Sequence, residues 1–140
     1  MNILWRFLVV SFLIWLIPFV VSIPFFDRAG QLTINFWVFK ALMATTLIGS
    51  AFPLFHWLYR SLALPNRHWT IATGLGLGAL SINILLDMIT VIPFTNMAVT
   101  DYIVQIAVLY LFIPIISVYI GINATQITAQ RRINNENSTQ

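Results

Sequence analysis

Asp87 lies inside the apolar stretch LSINILLDMITVI, residues 80–92, where the surroundings of a membrane helix would be hydrocarbon. A carboxylate at that depth costs roughly 2.5–3.5 kcal/mol on insertion scales, so it needs a partner or a task. At helical spacing Asn83, Asp87 and Thr90 fall on one side, together with Gly76 and Ala79. One face thus presents an amide, a carboxylate and a hydroxyl in a row. Lys40 is the other charge inside an apolar stretch, about 6 Å in from the start of its own helix at 1.5 Å per residue. Asp87 is about 9 Å from the corresponding end of its helix by the same measure. Matched depth predicts a Lys40–Asp87 ion pair, direct or through water. The alternative for Lys40 is to extend its stem along the helix and place its ammonium among the headgroups. Gln105 is a fifth polar side chain at similar depth, so the expected intramembrane cluster is Asp87, Lys40, Asn83, Gln105 and Thr90. Its chemistry is that of a ligand or proton site.

Four stretches must hold these residues: 3–23, 36–59, 70–93 and 102–122. Each meets the roughly 20 residues that a ~30 Å hydrocarbon core requires. The 140-residue chain is 59% hydrophobic and 8% charged, against the ~25% charged residues of soluble domains, so it is read as an integral membrane protein. The expected fold is an all-α membrane protein, an antiparallel four-transmembrane-helix bundle. Residues 123–140 are expected to form a polar and flexible cytoplasmic tail. The first stretch exceeds a signal-peptide core and has no A-x-A-like site after it, so it is read as a retained span.

Positive charge sets the orientation. Arg6, Arg60, Arg67, Arg131 and Arg132 flank one side, and Arg28 and Lys40 the other. Five against two places the N- and C-termini in the cytoplasm. Trp5, Trp57, Tyr59 and Trp69 are expected as anchors at the inner interface, and Trp37 and Tyr102 at the outer one. Trp15 is mid-span and is read as packing between helices rather than meeting a ligand. The short inner connection, with Pro65 and Asn66 as its turn, makes the second and third spans antiparallel neighbours. Thr95 and Asn96 mark the second outer turn. The motif Ile-Pro-Phe closes the first span at 23–25 and the third at 92–94, which suggests a duplicated hairpin in parallel repeat. Pro18, Pro53 and Pro114 fall inside spans and can kink them.

Packing has its own signature. Gly74, Gly78 and Ser81 share a stripe opposite the polar one, and a G-x-x-x-G pair lets another helix approach closely. Other chemistry lacks its residues. There are no cysteines, which removes thiolate metal sites and thiol redox chemistry. His56 and His68 have no nearby carboxylate, so neither a metal site nor any cofactor is expected. No catalytic residue set stands at matching depth. The basic excess of +3 is explained by topology and excludes nucleic acid as a partner. The triplets at Asn123 and Asn137 match the glycosylation acceptor but fall on the cytoplasmic side.

The segments FWVFKALM (36–43), NILLD (83–87), VIPF (91–94), DY (101–102) and YLFIP (110–114) resemble a group of small four-span prokaryotic membrane proteins of unknown function. The likeness runs from the second to the fourth span. It implies a domain type and a prokaryotic plasma membrane, and supplies no activity. Small multidrug transporters are also short four-span chains, but they rest on a glutamate in the first span, and this first span has no acid.

Two functions are compatible with these residues. The leading one is a non-enzymatic binding or assembly component whose polar cluster ties the helices together and receives a partner or small ligand. The alternative is a proton- or ion-coupled small transporter or channel, working as a dimer through Asp87. Expected partners are the lipid bilayer, a second copy of the chain or another membrane protein.

Overall fold

The computed structural model describes residues 2–28, 30–61, 68–95 and 98–123. The expected tail from residue 124 onward, the Pro65–Asn66 turn, Asn96 and the basic residues Arg67, Arg131 and Arg132 lie outside them, and Asn123, expected to begin the tail, closes α5. Among the described residues every regular element is helical. In chain order these are α1 (Ile3–Ser22), α2 (Phe36–Ser61), α3 (His68–Thr95), α4 (Val99–Gln105) and α5 (residues 112–123). Short 3-10 turns occupy Ile23–Phe25 and Ala107–Leu111.

The spans Ile3–Phe25, Phe36–Arg60 and Trp69–Pro93 are each long and apolar enough to cross a membrane. Val99–Gln105 and Ala107–Asn123 make a fourth if the two pieces are counted together, and they meet at a bend of 45°. The expected continuous span over 102–122 is therefore broken. The break falls at Ile106, with φ −115° and ψ −55°, and not at Pro114. Pro114 lies in the first turn of α5, where its missing N–H is tolerated. Its ring would clash with the carbonyl of Tyr110 in a continuous helix, and the 3-10 turn Ala107–Leu111 occupies that stretch instead.

α1 packs against both α2 and α3. Its register on α3 is regular. Phe7 meets Gly78, the Ser11 carbonyl meets Asn83, and Trp15 meets Asp87. Successive turns of α1 thus meet successive turns of α3 in the same order, so the two helices run in the same direction. That is the relation the Ile-Pro-Phe repeat implies. α2 and α3, expected side by side, each pack closely on α1 and show no comparable packing on one another. A short connection brings two helix ends together and leaves the rest of each helix free to diverge.

At the far end from Asp87, α5 joins α2 to α3. Tyr59 and Ser117 share a hydrogen bond of 3.0 Å, and the Ser117 hydroxyl donates to the Ala72 carbonyl at 2.7 Å. The close approach uses Gly76. A Cβ there would lie 2.6 Å from the Pro114 Cα, and none of the expected packing residues is as tightly enclosed. Gly74 has open space around it, Ser81 is exposed, and Gly78 faces the edge of the Phe7 ring. Val10, Ile14, Leu47, Ala51, Phe55 and Ile113 fill the core between the helices. Apolar side chains such as Leu85, Ile89 and Val104 face outward, as a lipid-facing surface requires. Trp5, Trp37, Trp57 and Trp69 are exposed as interfacial anchors should be, whereas Tyr59 and Tyr102 are buried and hydrogen-bonded.

Candidate functional site

Asp87 is 3% exposed and accepts three hydrogen bonds from three different parts of the chain. The Trp15 indole N–H on α1 donates to Oδ1 at 2.7 Å. The Tyr102 hydroxyl on α4 donates to Oδ2 at 3.0 Å, and the Tyr110 hydroxyl in the 3-10 turn donates to the same oxygen at 2.5 Å. All three partners are neutral donors. Hydrogen bonds to a charged group contribute about 1.5–3 kcal/mol each, so two of them already offset the roughly 2.5–3.5 kcal/mol cost of the carboxylate's depth.

The break in the fourth segment makes this convergence achievable. In a straight α-helix Tyr102 and Tyr110 would be about 12 Å apart along the axis and turned about 80° from one another. The 45° bend and the 3-10 winding of Ala107–Leu111 bring both hydroxyls to one oxygen. Trp15 is held for its task by Phe19, one turn further along α1, with ring centroids 4.8 Å apart and nearly parallel.

The expected cluster is only partly assembled. Asp87, Lys40 and Gln105 line a common cavity of about 250 Å³. Among the described residues, however, no ion pair joins Lys40 to Asp87. The Lys40 ammonium lies 5.8 Å from the Phe36 ring centroid and 5.9 Å from that of Trp37. The direct form of the expected pair is absent: matched depth brings both side chains to one cavity without bringing them into contact. Trp15 of α1 takes one carboxylate oxygen instead. Thr90 donates to the Leu86 carbonyl of its own helix at 2.7 Å and makes no bond to Asp87. Asn83 is one turn from Asp87, fully buried, and donates to the carbonyls of Ser11 and Ala79. Its Oδ1 and the Ser11 hydroxyl are buried without a hydrogen-bond partner among the described residues.

The cavity is otherwise apolar and strongly aromatic. Trp15, Phe19, Phe26, Phe36, Phe39 and Tyr110 contribute rings, and Met43, Leu47, Val91, Ile106 and Leu109 the remaining apolar wall. The loop after α1 contributes Phe26, Gly30 and Leu32 to its wall. That loop is shaped by Asp27, whose carboxylate accepts the Gln31 N–H at 2.8 Å, and by Gly30 at φ 74°, a conformation glycine adopts at no steric cost. No group of three metal-ligating side chains occurs among the described residues.

Trp15, Tyr102 and Tyr110 are the site residues that sequence reasoning missed. Trp15 had a usable signal, being the one tryptophan far from both interfaces. The tyrosines had none, since a straight helix places them on different faces. No family model, curated protein or solved structure matches the chain.

Proposed function

We propose that this chain is a non-enzymatic membrane protein that binds a small lipophilic molecule in the cavity beside Asp87. The observation that carries this reading is the cavity itself: about 250 Å³, apolar, aromatic, and carrying a buried carboxylate at its wall. Sites for small molecules are mostly apolar concavities with a few fixed polar groups, and here three donors fix the polar group. An engineered cavity of about 150 Å³ lined by similar side chains takes up benzene, so this one is large enough for a ring with a short chain attached. A purely structural acid would need no space beside it.

The architecture proposed with this function is an antiparallel four-helix bundle in a prokaryotic plasma membrane, both termini cytoplasmic. Two observations support the antiparallel arrangement. Tyr59 near the end of α2 and Ala72 near the start of α3 both meet Ser117, while Lys40 near the start of α2 and Asp87 late in α3 share the cavity. The orientation rests on the five-to-two distribution of basic residues. Because the chain has no cysteine, single-cysteine labelling tests it cleanly. Arg28→Cys is expected to react with an impermeant thiol reagent in intact cells, and Asn137→Cys only after lysis. The opposite pattern would reverse the topology.

Binding is tested by filling the space. A set of one-ring lipophilic compounds is added to the detergent-purified chain and its melting temperature followed. At hundredfold excess over Kd a ligand adds about 2.7 kcal/mol, which is a shift of several degrees. Met43→Trp, which places an indole into the cavity, is expected to abolish that shift while still melting cooperatively. A shift of equal size in both proteins would mean that the compounds act elsewhere.

A further inference from the structure

Two charges stand at the cavity wall, and their settings differ. Asp87 is fixed by three donors and faces no cation in its immediate contacts. Lys40 is half-buried, with its ammonium beside the ring of Trp37, which is itself 72% exposed. The acid is therefore preorganised inside the cavity, and the lysine is at its edge on a flexible stem. Between them the wall is made largely of aromatic rings, whose faces attract cations and repel anions.

The polar atoms are accounted for in the same sense. A carboxylate has about four lone-pair positions, and Asp87 uses three of them, two on Oδ2 and one on Oδ1. One acceptor position remains on a group that lines the cavity. A ligand that donates a hydrogen bond and brings a positive charge would complete it. A neutral ligand would leave the charge uncompensated, and an anion would meet both the carboxylate and the ring faces.

Resting on the binding function proposed above, we infer that the ligand is a hydrophobic amine, protonated when bound, with its ammonium on Asp87 and an aromatic or compact aliphatic body among the rings. Lys40 is then a competitor for the same field. Its ammonium stays at the cavity edge when the amine is present, and removing its charge makes the site more receptive.

The test compares three probes of similar shape and different charge: 2-phenylethylamine, 2-phenylethanol and 3-phenylpropionate. Each is titrated against the full chain in detergent at neutral pH, and the dose that raises the melting temperature gives an apparent affinity. The amine is expected to bind about tenfold tighter than the alcohol, the equivalent of one charge-assisted contact. In Asp87→Asn the amine and the alcohol should become equal. In Lys40→Met the amine should bind several-fold tighter than in the wild type, a gain that impaired folding cannot mimic. Equal binding of amine and alcohol by the wild type overturns the amine while leaving the cavity as a binding site. Preference for phenylpropionate, lost in Lys40→Met, does the same and assigns the site to anions. No shift with any of the three, nor with the one-ring compounds above, overturns both the ligand class and the binding function.

Discussion

Asp87→Leu is expected to destabilise the protein by about 3 kcal/mol, because it leaves three donors without an acceptor. Each buried donor left unsatisfied costs about 1–3 kcal/mol. Against that sum stands the relief of no longer holding a carboxylate in the membrane interior, roughly 2.5–3.5 kcal/mol. Loss of the acceptor is the larger effect, since the Trp15 N–H, the Tyr102 hydroxyl and the Tyr110 hydroxyl all point at the vacated position. The sign should change when the donors are removed too. Asp87→Leu combined with Trp15→Phe, Tyr102→Phe and Tyr110→Phe is expected to return to within about 1.5 kcal/mol of wild type, as apolar replacement of a whole buried network often does. Lys40→Met should shift stability by less than about 1 kcal/mol, because the partners of its ammonium among the described residues are ring faces. Unfolding in mixed micelles by SDS titration measures all three. A single Asp87→Leu variant as stable as wild type, or a fourfold variant no better than the single one, would show that the three hydrogen bonds do not hold this site together.

The apolar spans and the unusual placing of an acid at Asp87 were legible in the sequence, because both follow from composition and depth alone. A run of twenty apolar residues and one acid inside it need no knowledge of neighbours. The partners of Asp87 were not legible, and two separate assumptions hid them. The first was that a short loop makes its two helices neighbours along their length. It brought Lys40 into contact with Asp87, whereas the close packing of both helices is on α1, which offers Trp15. The second was that the fourth segment is a straight helix. Uniform winding separates Tyr102 from Tyr110, and only the break at Ile106 with the 3-10 turn beyond it brings them together. Composition carries no record of either event. Trp15 was visible as an oddity of position, but a tryptophan within a span packs against other helices far more often than it donates to an acid. Here it does both, stacking on Phe19 and bonding to Asp87.

The glycines of α3 offer the second large effect, and they reverse the order that motif reasoning assigns. Gly74 and Gly78 form the recognisable pair, yet Gly76 is the position with no room. A methyl group there would stand 2.6 Å from the Pro114 Cα and 2.9 Å from the Ser117 Cβ. Backbone cannot swing aside as a side-chain end can, so α3 and α5 would have to separate. That separation also strains the Ser117 hydroxyl, which bonds the Ala72 carbonyl one turn away and the Tyr59 hydroxyl on α2. Overpacking costs about 1–3 kcal/mol, the two weakened bonds about 0.6 kcal/mol each, and alanine returns up to about 1 kcal/mol in helix propensity. Gly76→Ala is therefore expected to lose about 2 kcal/mol. Gly78→Ala meets only the end of the Phe7 ring at 3.0 Å, which a small ring movement relieves, so it should be close to neutral. Gly74→Ala meets nothing within 4 Å and should be stabilising by up to about 1 kcal/mol. The same SDS titration orders the three variants. If Gly74→Ala is the damaging one instead, something outside this chain covers that face, and the stripe of Gly74 and Ser81 would become a contact between subunits. If Gly76→Ala is harmless, α5 does not pack on α3 as described, and the Tyr110 hydroxyl that precedes it loses its route to Asp87.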